Sequence, residues 1–153
     1  VSSLDGSNGL IIRGRDSKDL FGSAVSSGDV NGDGFADIII GAPNSAGSNN
    51  SMANNGETYV VFGKASGFSA SMLVSSLDGS NGLIIRGRDS KDLFGSAVSS
   101  GDVNGDGFAD IIIGAPNSAG SNNSMANNGE TYVVFGKASG FSASMLVSSL
   151  DGS

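Results

Sequence analysis

The strongest constraint on this chain is that it repeats itself without a single change. Val1-Ser2-Ser3-Leu4-Asp5-Gly6-Ser7 returns at Val74 and again at Val147, so the period is 73 residues. Every residue from 1 to 73 reappears 73 positions later, and residues 147–153 form a seven-residue overlap. Internal repeats of this kind decide the architecture. Natural duplications drift, so identity throughout points to an engineered sequence or a very recent duplication. The first is favoured, because both ends fall in mid-pattern.

Each period holds one acidic loop, Asp29-Val30-Asn31-Gly32-Asp33-Gly34-Phe35-Ala36-Asp37, repeated as Asp102-Val103-Asn104-Gly105-Asp106-Gly107-Phe108-Ala109-Asp110. Oxygen side chains at positions 1, 3 and 5 point into one small volume when such a loop curls. Gly34 at position 6 permits the sharp turn, because it lacks a Cβ. The backbone carbonyl of Phe35 becomes available at position 7, and Asp37 returns a carboxylate at position 9. Three carboxylates, an amide oxygen and a carbonyl suit a hard cation with flexible coordination, calcium before magnesium. Left without a cation, the carboxylates would repel each other. The expected ligands are Asp29, Asn31, Asp33, Phe35 and Asp37, then Asp102, Asn104, Asp106, Phe108 and Asp110, giving two Ca2+ per chain. EF-hand and dockerin-type loops need an acidic ligand at position 12, where this chain has Ile40 and Ile113. The β-branched run Ile38-Ile39-Ile40 prefers a strand. This is a calcium loop between strands.

Composition narrows the chemistry. At 153 residues the chain has the length of one domain, with no Cys, His or Trp. Disulfides, thiolate nucleophiles and Cys/His zinc sites are thereby absent, as is the usual general base. A net charge of −7 disfavours a nucleic-acid partner. Two bound Ca2+ would bring that charge to −3. No apolar run approaches the ~20 residues of a membrane span. No signal peptide is visible, and a start at Val1 leaves room for a removed export segment or tag. The 25 glycines and many serines suggest a linker. Regularly spaced apolar runs at residues 10–12, 38–40 and 60–62 overrule that, and the chain reads as folded and all-β.

Within one period the strands fall at residues 10–12, 21–27, 38–40 and 59–62. The Ile38 run is buried on both faces, and Pro43 ends it. Residues 15–19 form a charged connector, read as a solvated loop. Residues 44–55 form a low-complexity loop containing a formal glycosylation sequon at Asn49. Tyr59, Phe62 and Phe68 read as packing residues and not as a sugar-stacking platform.

Phe21-Gly22 before the acidic loop and Gly41-Ala42-Pro43 after it make the period resemble the FG-GAP family, which builds the β-propeller heads of integrin α-subunits. The resemblance covers the whole period and links three motifs in order, twice over. It implies four-stranded antiparallel blades, two per chain. The strand from Phe21 would be innermost and the residue 10–12 strand outermost. Residues 1–20 would supply the outermost strand of a blade shared with a neighbouring chain. Residues 21–93 would form a complete blade, and 94–153 a second blade lacking its outermost strand, with the overlap tail 147–153. The family's propellers usually have seven blades, more than this chain can supply alone. An extracellular or cell-surface location follows if the family is followed.

Three functions compete. The first is a calcium-stapled structural module that assembles head to tail with itself into a ring of three or four chains, six or eight blades. The second is an adhesion or lectin-like module presenting loops to a protein or glycan. The third is an enzyme, disfavoured because Glu57 and Glu130 are the only glutamates and no acid, base or nucleophile stands near them in sequence.

Overall fold

The computed structural model describes residues 3–47, 54–120 and 128–150; the Asn49 sequon lies outside them. Among the described residues the strands are β1 (Ile11–Arg13), β2 (Ala24–Gly28), β3 (Asp37–Ala42), β4 (Glu57–Val61), β5 (Ser71–Leu73), β6 (Gly82–Arg86), β7 (Ala97–Gly101), β8 (Asp110–Ala115), β9 (Glu130–Val134) and β10 (Ser144–Leu146). Short 3-10 segments, Val74–Ser76 and Val147–Leu150, follow β5 and β10. The protein is all-β.

β2, β3, β4 and β6 pair antiparallel in that spatial order, the four-strand order expected from the sequence. β7, β8 and β9 repeat the first three strands with the same register. β3 forms from the β-branched run, with Ile39 and Ile40 buried, and Pro43 follows its last residue. Side chains alternate across the first blade. Ile39, Val60, Leu83 and Ile85 face Ile111, Ile113, Phe94 and Val134 of the second blade. Ile40, Tyr59, Val61 and Ile84 join Val74 and Leu77 on the other face.

Two readings need correction. The strand expected from residue 21 begins at Ala24. Leu20 and Gly22 have φ of 57° and 85°, so the chain turns there. Phe21 projects from that turn and meets the Tyr59 ring edge-on at 5.4 Å. The blade is also not limited to four strands, because β10 adds a fifth, parallel to β6. β1 and β5 form the same parallel pair one period earlier, Ile11 beside Ser71 as Ile84 is beside Ser144. Ser-Met-Leu carries no β-branched run, so its strand character comes from the partner.

Identical residues sit in different surroundings in the two copies. Val30 is buried, whereas Val103 is 55% exposed. Val60 is buried, whereas Val133 and Phe135 are exposed. On the opposite flank Leu20, Val25 and Phe35 are exposed, while Phe94 is buried and Val98 packs on the core. β1 has no neighbour on one edge and β9 none on its outer edge among the described residues.

Candidate metal centre

Each acidic loop carries the first strand of a blade into the second. In the first loop the Asp33 N–H donates to both Asp29 Oδ1 (3.1 Å) and Asn31 Oδ1 (3.0 Å). The Gly34 N–H donates to Asp29 Oδ2 at 2.9 Å, and the Phe35 N–H to Asp33 Oδ1 at 2.9 Å. Asp29, Asn31 and Asp33 are thus gathered on one turn, which needs Gly32 and Gly34 at φ of 71° and 88°. Asp102, Asn104 and Asp106 repeat this geometry. The Gly107 N–H beside Asp102 holds its carboxyl below the usual range.

Asp37 is placed differently. It is fully buried, and its carboxylate accepts the N–H groups of Val30 and Gly63, each at 2.8 Å. Asp110 does the same with Val103 and Gly136. Burial pushes the Asp37 carboxyl up, against the pull of the Gly63 and Val30 N–H groups. The ninth residue therefore ties the loop to the end of the third strand. Among the described residues no three acidic side chains close into a metal-holding cluster. The donor chemistry still fits a hard cation. All donors are oxygens, two of them converge on one N–H, and each Asp37 oxygen keeps a lone pair beyond the N–H it accepts.

The two loops touch. The Phe108 ring lies against Gly32, where a Cβ would come within 2.3 Å of a ring carbon. The Ala109 N–H donates to the Asp29 carbonyl at 2.9 Å, and the Lys137 N–H to the Val30 carbonyl at 3.0 Å. The first loop and the second blade are therefore in direct contact. Phe35, the copy of Phe108, is 41% exposed.

A second polar centre escaped the sequence reading. Glu57 is fully buried and bound on both oxygens. Its Oε2 accepts from Ser45 Oγ (2.5 Å), Tyr59 OH (2.6 Å) and Arg15 Nη2 (3.1 Å), and its Oε1 from Arg86 Nε (2.9 Å). Burial pushes the Glu57 carboxyl up, but the Ser45 and Tyr59 hydroxyls and the two guanidinium groups together hold it below its usual value. Arg15 also pairs with Asp16 at 2.7 Å, and Asp19 is only 6% exposed, so the connector is partly buried and not simply solvated. Its partners lie up to 42 residues apart. The one available hint was a lone glutamate in a period otherwise acidic only through aspartate. Both carboxylate oxygens of Glu57 are thus engaged by donors of the blade itself. Phe62 packs on Phe141 at 5.4 Å, and Tyr59 is buried, so both serve as packing residues.

Comparison with known proteins agrees with the architecture. The FG-GAP repeat profile matches residues 21–61 and 94–134. The chain is 36% identical over 119 residues to bovine (Bos taurus) phosphatidylinositol-glycan-specific phospholipase D, covering 78% of this chain and 14% of that protein. It is 31% identical over 132 residues to integrin alpha-PS3 of Drosophila melanogaster, covering 85% of this chain and 10% of that one. It is 34% identical over 127 residues to integrin alpha-V of Gallus gallus, covering 80% and 11%. The chain thus spans about a seventh or less of these relatives. Two profile matches in register with two blades, each enclosing its acidic loop, place this chain in the FG-GAP repeat family.

Proposed function

We propose that this chain is a non-catalytic, calcium-stapled propeller module that assembles head to tail with copies of itself. The observation that carries the reading is the mismatch between identical copies. The junction between the two blades buries Val30, Val60 and Phe94, yet their counterparts Val103 and Val133 on one flank stay exposed, and Phe21 on the other is only partly covered. The two flanks are the halves of a junction the chain already makes once. Shifting that junction by one period pairs β9 of one copy with β1 of the next and seats Phe35 on Gly105. A heterologous contact of this kind closes into a ring or grows as a filament. With two blades per chain and propellers of four to eight blades, three or four copies give six or eight.

Calcium would be held by Asp29, Asn31, Asp33, the Phe35 carbonyl and Asp37, and by Asp102, Asn104, Asp106, the Phe108 carbonyl and Asp110 in the second loop. Bound there, it supplies charge neutralisation to loops that touch across the blade junction. The phospholipase relatives are matched over a small share of their length, and in this chain the glutamates are engaged in structural pairs. An adhesion role remains the second reading. It is favoured by a groove of about 470 Å³ beside the first loop, lined by Asn31, Asp33, Phe62, Lys64 and Phe68 among others.

Solution mass tests assembly. Light scattering at micromolar concentration is expected to give a multiple of 15.1 kDa, and chelator is expected to lower it. A mass near 15 kDa in calcium overturns the reading.

A further inference from the structure

We infer that Arg13 of one copy completes the carboxylate centre of Glu130 in the preceding copy, forming a buried inter-chain ion pair that fixes the register of the β9–β1 contact. The inference rests on the head-to-tail assembly proposed above.

The first blade supplies the template. Glu57 and Arg86 face each other across β4 and β6, in a register that runs Glu57–Arg86, Thr58–Ile85, Tyr59–Ile84, Val60–Leu83 and Val61–Gly82. One period away the same residues are Glu130 on β9 and Arg13 on β1. Glu130 keeps every partner of its Oε2: Arg88 Nη2 at 3.1 Å, Ser118 Oγ at 2.5 Å, and the Tyr132 hydroxyl. Its Oε1 has no ion-pair partner among the described residues, and its side chain is 25% exposed where that of Glu57 is fully covered. Arg13 is exposed, and its side chain makes no hydrogen bond or ion pair among the described residues. Each half of the centre has what the other lacks.

β1 is also prepared to receive it. β5 already pairs with β1 on one side, just as β10 pairs with β6, so the remaining edge of β1 is the one that β6 gives to β4. The pairs in trans are then Glu130–Arg13, Thr131–Ile12, Tyr132–Ile11, Val133–Leu10 and Val134–Gly9. A slip by one residue would turn every side chain to the wrong face. A slip by two would leave Arg13 and Glu130 apart, a buried carboxylate short of a partner. The ion pair therefore selects one register among those that apolar burial alone permits.

The test is a double-mutant cycle on the 153-residue chain, reading the dissociation constant of the assembly. Arg13→Ala is expected to weaken assembly by about a hundredfold, while the melting temperature of dilute, unassembled chain stays as in wild type. Glu130→Gln is expected to weaken assembly too. The double variant should lose little more than either single one, because both remove the same contact. Arg13→Lys should recover part of the loss. Arg13→Ala assembling as tightly as wild type, or strictly additive losses in the cycle, overturns the ion pair and leaves head-to-tail assembly standing. A wild-type chain that stays monomeric overturns both.

Discussion

At the scale of single residues, the two copies of one side chain provide an internal control. Glu57 is fully covered with two guanidinium partners, and Glu130 is partly exposed with one. Removing one partner from a buried pair costs about 3–5 kcal/mol. Glu57→Ala is therefore expected to destabilise the unassembled chain by that amount, and Glu130→Ala by visibly less, in denaturant melts below the assembly concentration. Equal losses would show that the two sites do not differ in the way their burial indicates. In the acidic loop, Asp33→Ala should remove calcium stabilisation worth roughly 2.7 kcal/mol at a hundredfold excess over Kd. Asp16→Ala should cost about 0–1 kcal/mol, since Asp16 is 41% exposed beside Arg15. Melts of both variants with and without calcium decide this; equal losses would mean that the loop binds no cation. The phenols report on the glutamates. Burial, and then the hydrogen bond to Glu130, push Tyr132 up to about 12 from 10.0, and Tyr59 moves up as well. A raised value means that the neutral phenol is favoured in the fold. Its contribution is fully present below pH 10 and is lost as the pH rises through about 12. Phenolate absorbance should rise only above pH 10, and a midpoint at 10 for both tyrosines would show that the phenols are not buried beside the carboxylates as described.

At the scale of elements, what was legible in the sequence is what local chemistry decides. The Ile38-Ile39-Ile40 run, its Pro stop and the Asp-Gly loop signal each arise within a few residues, and they placed β3, β8 and both loops. β5 and β10 were not legible because Ser-Met-Leu becomes a strand only through a partner some 60 residues away. The Glu57 clamp was hidden for the same reason, its arginines coming from two distant elements. The start of β2 was misplaced because a non-glycine residue, Leu20, adopts positive φ, which alternation in the sequence cannot reveal. Blade packing makes a further prediction. A Cβ at Gly41 would lie 2.0 Å from the Gly95 carbonyl oxygen, whereas one at Gly114 meets only Ala97, at 3.6 Å. Gly41→Ala should therefore destabilise the chain itself, by about 1–3 kcal/mol for overpacking. Gly114→Ala should leave the melt of the dilute chain unchanged but block assembly, because the next copy would bring its Gly22 carbonyl to that position. Light scattering of Gly114→Ala at a wild-type mass would contradict the period-shifted junction.

At the scale of the whole molecule, the repeat makes interior and surface interchangeable. Which copy of a residue is buried depends only on whether a further blade stands beside it. On the proposed reading, calcium, loop contact and strand pairing act on the same junction, so isothermal titration is expected to find two sites per chain, and the chelated protein should melt earlier and dissociate more readily. An unchanged melt in chelator would remove calcium from the structural account. Val147 is buried and Leu150 packs on the core between the blades, so the 3-10 segment Val147–Leu150 is seated as Val74–Ser76 is. Residues 1–4 of an incoming copy have the same sequence and the same claim to that seat. A junction with two equivalent claimants can be invaded stepwise, one end peeling off as its twin zips in. Assemblies of this chain should therefore trade subunits by displacement without first falling apart, and mixing two fluorescently labelled pools should show exchange that accelerates with the concentration of free chain.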